Sequence, residues 1–136
     1  MLRRTRERLL FAVALPLAVA CTSTDAESDV TVSLRDDAIV AIPATADAGS
    51  ITFEATNDGT TTHELEVFGG NADPSSLGIE NDEAVTDGLT LLDEAEEITP
   101  GSTKTFTVDL DPGRYVLMCN LPGHFANGMV TTLTVS

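Results

Sequence analysis

Positive charge is nearly missing from most of this 136-residue chain. Of its seven basic residues, four Arg lie within the first eight positions. Residues 22–136 therefore keep only Arg35, Lys104 and Arg114 against 21 acidic residues, since Glu7 is the one acid that precedes them, for a formal charge of −18. Such a surface excludes nucleic acid and anionic membrane faces as partners and is compatible with a basic partner protein or with solubility alone. Long hydrophobic runs are also missing. The longest, Leu9–Ala20, has twelve residues, too few for a stable bilayer-spanning helix. Cys, His and Met are scarce, at two, two and three. The length allows one domain, and no internal repeat is visible.

What the N-terminus does have is order: Arg3, Arg4, Arg6 and Arg8, then the apolar run, then Ala18-Val19-Ala20. A basic segment, a short apolar segment and a small-residue cleavage site predict a signal peptide over 1–21 and an exported, periplasmic or extracytoplasmic protein. Cys21 follows the cleavage signal, and AVAC resembles the lipobox of bacterial lipoproteins. That resemblance implies acylation of Cys21 and a membrane anchor through it alone, with the acidic stretch 22–29 as a flexible tether. If Cys21 carries lipid, Cys119 has no disulfide partner within the chain, and a free thiol in an oxidising compartment needs something to hold it.

Residues 30–136 read as short alternating strands. ITFEATN (51–57), HELEV (63–67), TFTVDL (105–110), RYVLMC (114–119) and MVTTLTV (129–135) each set apolar residues at every second position, with weaker strands in VTVSL (30–34) and AIVAI (38–42). Turn signals such as Asn-Asp-Gly, Asp-Pro-Gly and Pro-Gly separate them. The pattern predicts an all-β Greek-key sandwich with one long acidic insertion between Gly69 and Pro100, holding a loop or a helical turn or two in LTLLDEAEE (89–97).

The stretch CNLPGHFANGM, Cys119–Met129, concentrates the scarce side chains. Parity places His63 with Leu65 and Val67, Cys119 with Tyr115 and Leu117, and Met129 with Leu133 and Val135, so all three point inward at strand ends. Singly, each has an ordinary explanation: a hydrogen-bonded core His, an inert buried thiol, a gap-filling Met, and a polar turn residue at His124. Jointly, His63, Cys119, His124 and Met129 offer two imidazoles, a thiolate and a thioether, the donor set of a blue copper electron-transfer site.

Here the chain resembles the cupredoxins. NDGTTTHELEVFG (57–69) is similar to the segment that carries their first His, and DPGRYVLMCNLPGHFANGM (111–129) to the one that carries their Cys, second His and axial Met. The C-x4-H-x4-M spacing is similar to that of rusticyanin and sulfocyanin and longer before the His than in plastocyanin. The resemblance implies a cupredoxin domain over 30–136, one copper per chain cycling between Cu(I) and Cu(II), and single-electron transfer between redox partner proteins by a monomer. Where these proteins commonly have Asn after the His and Ser or Thr after the Cys, this chain has Glu64 and Asn120, so the expected polar contact is exchanged, with Asn120 donating to Glu64. Leu121, Pro122 and Phe125 are expected to form an apolar docking patch around an exposed His124. A copper-binding chaperone without electron-carrier role would share the site. An enzyme would need further His ligands, and structural zinc is disfavoured by the Met.

Overall fold

The computed structural model describes residues 27–136. The expected signal segment, Cys21 and most of the tether lie outside the described residues. Eleven strands follow in chain order: β1 (Val30–Arg35), β2 (Ala38–Ile42), β3 (Thr45–Ala46), β4 (Gly49–Asn57), β5 (His63–Gly69), β6 (Ile79–Glu80), β7 (Glu83–Ala84), β8 (Thr90–Ile98), β9 (Thr103–Leu110), β10 (Gly113–Met118) and β11 (Val130–Val135). A 3-10 turn at Pro74–Ser76 is the sole helical element among the described residues.

Two sheets make a sandwich, in the orders β2-β1-β4-β9 and β3-β11-β10-β5-β8. Both are mixed: β1 runs parallel to β4 and β3 parallel to β11, while the other ladders are antiparallel. The alternation read from sequence sets the inward faces. Val30, Val32 and Leu34 of β1 and Ile51, Phe53 and Ala55 of β4 meet Leu65 and Val67 of β5, Leu117 of β10 and Leu133 and Val135 of β11. Burying each of the larger aliphatic side chains contributes about 1.5–3 kcal/mol, which makes this layer the main source of stability.

The insertion departs from its expected form. All of LTLLDEAEE but Leu89 lies in β8, paired along β5 at the sheet edge, and not in a helix. Its residues are good helix formers, but that preference is weak, and the ladder to β5 overrides it. Ahead of β8, β6 and β7 form a two-residue hairpin whose central residues, Asn81 and Asp82, both have positive φ, 52° and 66°. Asn and Asp tolerate that conformation, and the resulting turn matches the strand twist. The insertion folds over the outer face of the second sheet and buries Phe68, Ala84, Val116, Met118 and Phe125 in a second, smaller core. This explains why β10 is apolar at every position from Tyr115 to Met118: it is covered on both faces.

Candidate metal centre

At one end of the sandwich β10 finishes at Met118, and the chain leaves into a loop of turns before β11 begins at Val130. Cys119 starts this loop and Met129 ends it. The two are pinned to each other by the Cys119 N–H donating to the Met129 carbonyl at 3.1 Å. Met129 N–H donates to the His124 carbonyl at 3.2 Å, so the backbone closes around the loop. Gly123 and Gly128 take positive φ, 85° and 109°, which lets the turns follow in so few residues.

His63 enters from β5, fully buried, beside fully buried Cys119 and partly exposed His124. The three donor atoms lie within 4.8 Å of one another. His63 Nδ1 stands 3.1 Å from His124 Nδ1, and Cys119 Sγ stands 3.3 Å from His124 Nδ1. Bonds of about 2.0 Å to nitrogen and 2.3 Å to sulfur would hold such donors on the order of 3.3 Å apart, so the set fits one first-row metal ion. Its composition, two borderline imidazoles with a soft thiolate, suits copper. Met129 is fully buried in the main core, with its backbone tied to those of Cys119 and His124. All four residues singled out in the sequence are thus at one end of the fold.

The electrostatics favour a cation there. Burial pushes the Cys119 thiol above its ordinary value, with the charges of Glu64 and Glu66 adding to the rise; N–H groups of Glu64 and Leu121 oppose it, that of Glu64 reaching Sγ at 3.4 Å. A thiolate in this setting needs positive charge beside it, which a metal ion supplies. Burial, then the neighbouring His63, lowers the affinity of His124 for a proton, which keeps its ring available as a donor.

Around the donors the picture departs from expectation in two places. The contact between Asn120 and Glu64 exists, but the backbone N–H of Asn120 donates to Glu64 Oε1, at 3.1 Å. The Asn120 side chain instead clamps β7, accepting from Ala84 N–H at 2.7 Å and donating to the Ala84 carbonyl at 3.2 Å. The apolar docking patch is not formed as expected: Phe125 is 9% exposed and belongs to the outer core, Leu121 packs on the main core, and Pro122 alone of the three is exposed. Sequence reasoning missed Asp36. Its Oδ1 lies 2.9 Å from His63 Nε2, and hydrogen bonds, first from the Thr60 hydroxyl and then from backbone N–H groups, hold it well below the usual carboxylate range. Two adjacent acids in a turn carried no pairing signal.

The cupredoxin-like domain family matches residues 8–132. The chain belongs to that family. Among solved structures, it is similar to dithionite-reduced auracyanin from the photosynthetic bacterium Roseiflexus castenholzii, at 22% identity and TM-score 0.55, covering 81% of this chain and 99% of that one. It is also similar to auracyanin A, a blue copper protein from the green thermophilic photosynthetic bacterium Chloroflexus aurantiacus, at 18% identity and TM-score 0.52, covering 79% and 98%. A multi-copper oxidase from Pediococcus acidilactici matches at 16% identity and TM-score 0.51, covering 97% of this chain but 31% of the oxidase. At these identities the likeness shows the shared fold. No curated protein sequence gives a significant match. Among the described residues no helix is long and apolar enough to cross a membrane.

Proposed function

We propose that this chain is an exported type 1 copper protein that carries single electrons between redox partners, anchored to the membrane through Cys21. His63, Cys119 and His124 would hold one copper ion, with Met129 as the weak axial donor. The observation that carries this reading is the convergence of two Nδ1 atoms and one Sγ within 4.8 Å at the end of a cupredoxin-like sandwich. Copper, when bound, supplies the one-electron couple. The chain supplies the rest. Strands β5 and β10 fix the positions of His63 and Cys119, full burial keeps water from the sulfur, and partly exposed His124 provides the edge towards a partner. His63 and His124 are the only His in the chain, so none remains to build a second, catalytic copper centre, and the proposed role is non-enzymatic.

Adding Cu(II) to the metal-free protein and recording the visible spectrum tests the reading. An intense thiolate-to-copper band at one equivalent is expected, and Cys119→Ser should abolish it because a hydroxyl is a hard, poorly ionised donor. A folded protein without the band overturns the assignment. Met129→Leu should keep copper and raise the reduction potential.

The proposed partner is basic. The acidic hairpin Glu80, Asp82 and Glu83 abuts the ligand loop, where Gly123 N–H donates to the Asp82 carbonyl at 2.7 Å, and Asp93, Glu94, Glu96 and Glu97 lie along edge strand β8. Fields of this kind speed association by roughly 10- to 1000-fold and fade with salt. Amide replacements at Glu80, Asp82 and Glu83 should slow electron transfer to a basic acceptor and flatten its salt dependence. Unchanged rates and slopes would leave these acids to solubility.

A further inference from the structure

Asp36 and Asp37 form the two-residue turn between β1 and β2, closed by the Arg35–Ala38 pair. The turn sits beside both segments that bear the donor residues. Asp36 Oδ1 lies 2.9 Å from His63 Nε2. The carboxylate is itself held: Thr60 N–H donates to Oδ1 at 2.9 Å and to Oδ2 at 3.1 Å, and the Thr60 hydroxyl donates to Oδ2 at 2.7 Å. An ionised carboxylate only accepts hydrogen bonds. The ring hydrogen of neutral His63 therefore belongs on Nε2, and Nδ1 is left as a bare lone pair facing His124 Nδ1 and Cys119 Sγ.

Two glycines make the arrangement sterically possible. A Cβ at Gly59 would stand 2.3 Å from Asp36 Oδ1 and 2.6 Å from His63 Nε2, so any side chain there wedges the pair apart. A Cβ at Gly128 would stand 2.6 Å from the Asp37 carbonyl oxygen. The second residue of the turn thus presses on the ligand loop one position before Met129, while the first grips His63.

We infer that Asp36 is the positioning residue that fixes the tautomer and ring orientation of His63, and that the Asp36-Asp37 turn is a strut setting the spacing between His63 and the 119–129 loop. The consequence for copper rests on the function proposed above. Partners that orient a ligating His in this way typically change metal affinity by about 10- to 100-fold when removed. The Asp36 side chain is 43% exposed, so water screens its charge, and with His63 neutral the hydrogen bond is what orients the ring.

Nitrogen NMR of the imidazoles in metal-free protein at neutral pH reads the tautomer without any metal. The native protein should show His63 with hydrogen on Nε2; Asp36→Asn, which keeps an acceptor oxygen, should retain it; Asp36→Ala should yield a tautomer mixture. In the copper-loaded proteins, Asp36→Ala should bind Cu(II) about 10- to 100-fold more weakly and Asp36→Asn much less so. A tenfold loss confined to Cu(II) raises a one-electron potential by about 59 mV. Gly59→Ala, which leaves the carboxylate in place, should reproduce the Asp36→Ala tautomer and affinity if the variant melts as a folded protein. A native tautomer and native copper affinity in Asp36→Ala overturn the inference. The two readings separate cleanly: a tautomer that depends on Asp36 in a protein giving no blue band sinks the copper assignment alone, and a native tautomer with native copper affinity in a blue Asp36→Ala variant sinks the positioning role alone.

Discussion

Strand β10 is buried on both sides, and the two sides are built from different kinds of chain. On the inner side Tyr115, Leu117 and Cys119 meet residues from long regular strands of both sheets. On the outer side Val116 and Met118 meet Phe68, Ala84 and Phe125, with Ala72, Leu77 and Leu89 from the insertion around them. The inner layer rests on backbone ladders eight and nine residues long, as in β9 and β4, whereas the outer cover has two-residue strands and a 3-10 turn. The difference shows what each layer does for the candidate metal centre. The inner layer fixes Cys119 and His63. The outer layer braces the loop after Cys119, through the Asn120 clamp on Ala84 and through Phe125, whose neighbour His124 is the partly exposed donor candidate.

The largest expected effects come from testing the two layers at adjacent residues. Leu117 and Met118 are both fully buried, on opposite faces of β10. Leu→Ala and Met→Ala changes in cores cost about 2–5 kcal/mol, with the smaller losses where surroundings collapse into the cavity. Leu117→Ala is expected near the upper end of that range and Met118→Ala near the lower end, because the insertion's short elements can settle inward. Urea unfolding of the two variants measures the difference. Equal losses, or a larger one at Met118, would mean that the outer cover is as rigid as the sandwich.

A medium effect is expected from Glu66, which stands on the outer face of β5 with one carboxylate oxygen buried and without a hydrogen-bond partner. Burial, then the charges of Glu64, Glu94, Glu83 and Glu96, pushes its pKa up to about 8 from 4.5. Between these values the unfolded chain has released the proton and the folded protein keeps it, so this group's contribution to stability falls as pH rises and is gone above the folded value. Discounted for the part of the side chain that water screens, the loss is on the order of 2 kcal/mol. Glu66→Gln should remove that share of the decline between pH 4.5 and about pH 8, seen as a flatter curve of urea midpoint against pH. Parallel curves for the two proteins would show that Glu66 is ionised in the fold.

How far the sequence disclosed each layer follows from the same contrast. Strands β4, β5, β9, β10 and β11 were legible because one inward face imposes period two, and the four donor candidates stood out because Cys, His and Met are rare, with His63, Cys119 and Met129 at strand ends and His124 in the loop between the last two. The outer core was not, since Phe125 and Met118 reach it from opposite parity and from a loop. The sequence of β8 suggests only a loop or a helical turn or two, because Leu, Glu and Ala carry helix propensity, whereas its conformation is dictated by pairing with β5. Asp36 was missed because its partner lies 27 residues away across a turn, and one more acid among so many carries no local signal.

The smallest expected effect lies where β8 meets the inner layer. The register of β5 and β8 shifts between His63–Ile98 and Leu65–Ala95, so β8 carries an extra residue opposite β5 beside His63. Glu97 sits in this bulge with φ 49°, a left-handed conformation, and its side chain is exposed. That conformation costs a residue with a Cβ about 1–2 kcal/mol, while Gly in its place loses about 0.5–1 kcal/mol through the greater freedom of its unfolded chain. Glu97→Gly should therefore stabilise the fold by about 0.5–1 kcal/mol, as the difference of those two terms. The urea midpoint should rise slightly, and the copper spectrum should stay as it is, because position 97 already holds the positive φ that glycine adopts freely, so Ile98 need not move from its place opposite His63. A fall in midpoint would show that the Glu97 side chain, and not the backbone it strains, matters to the bulge.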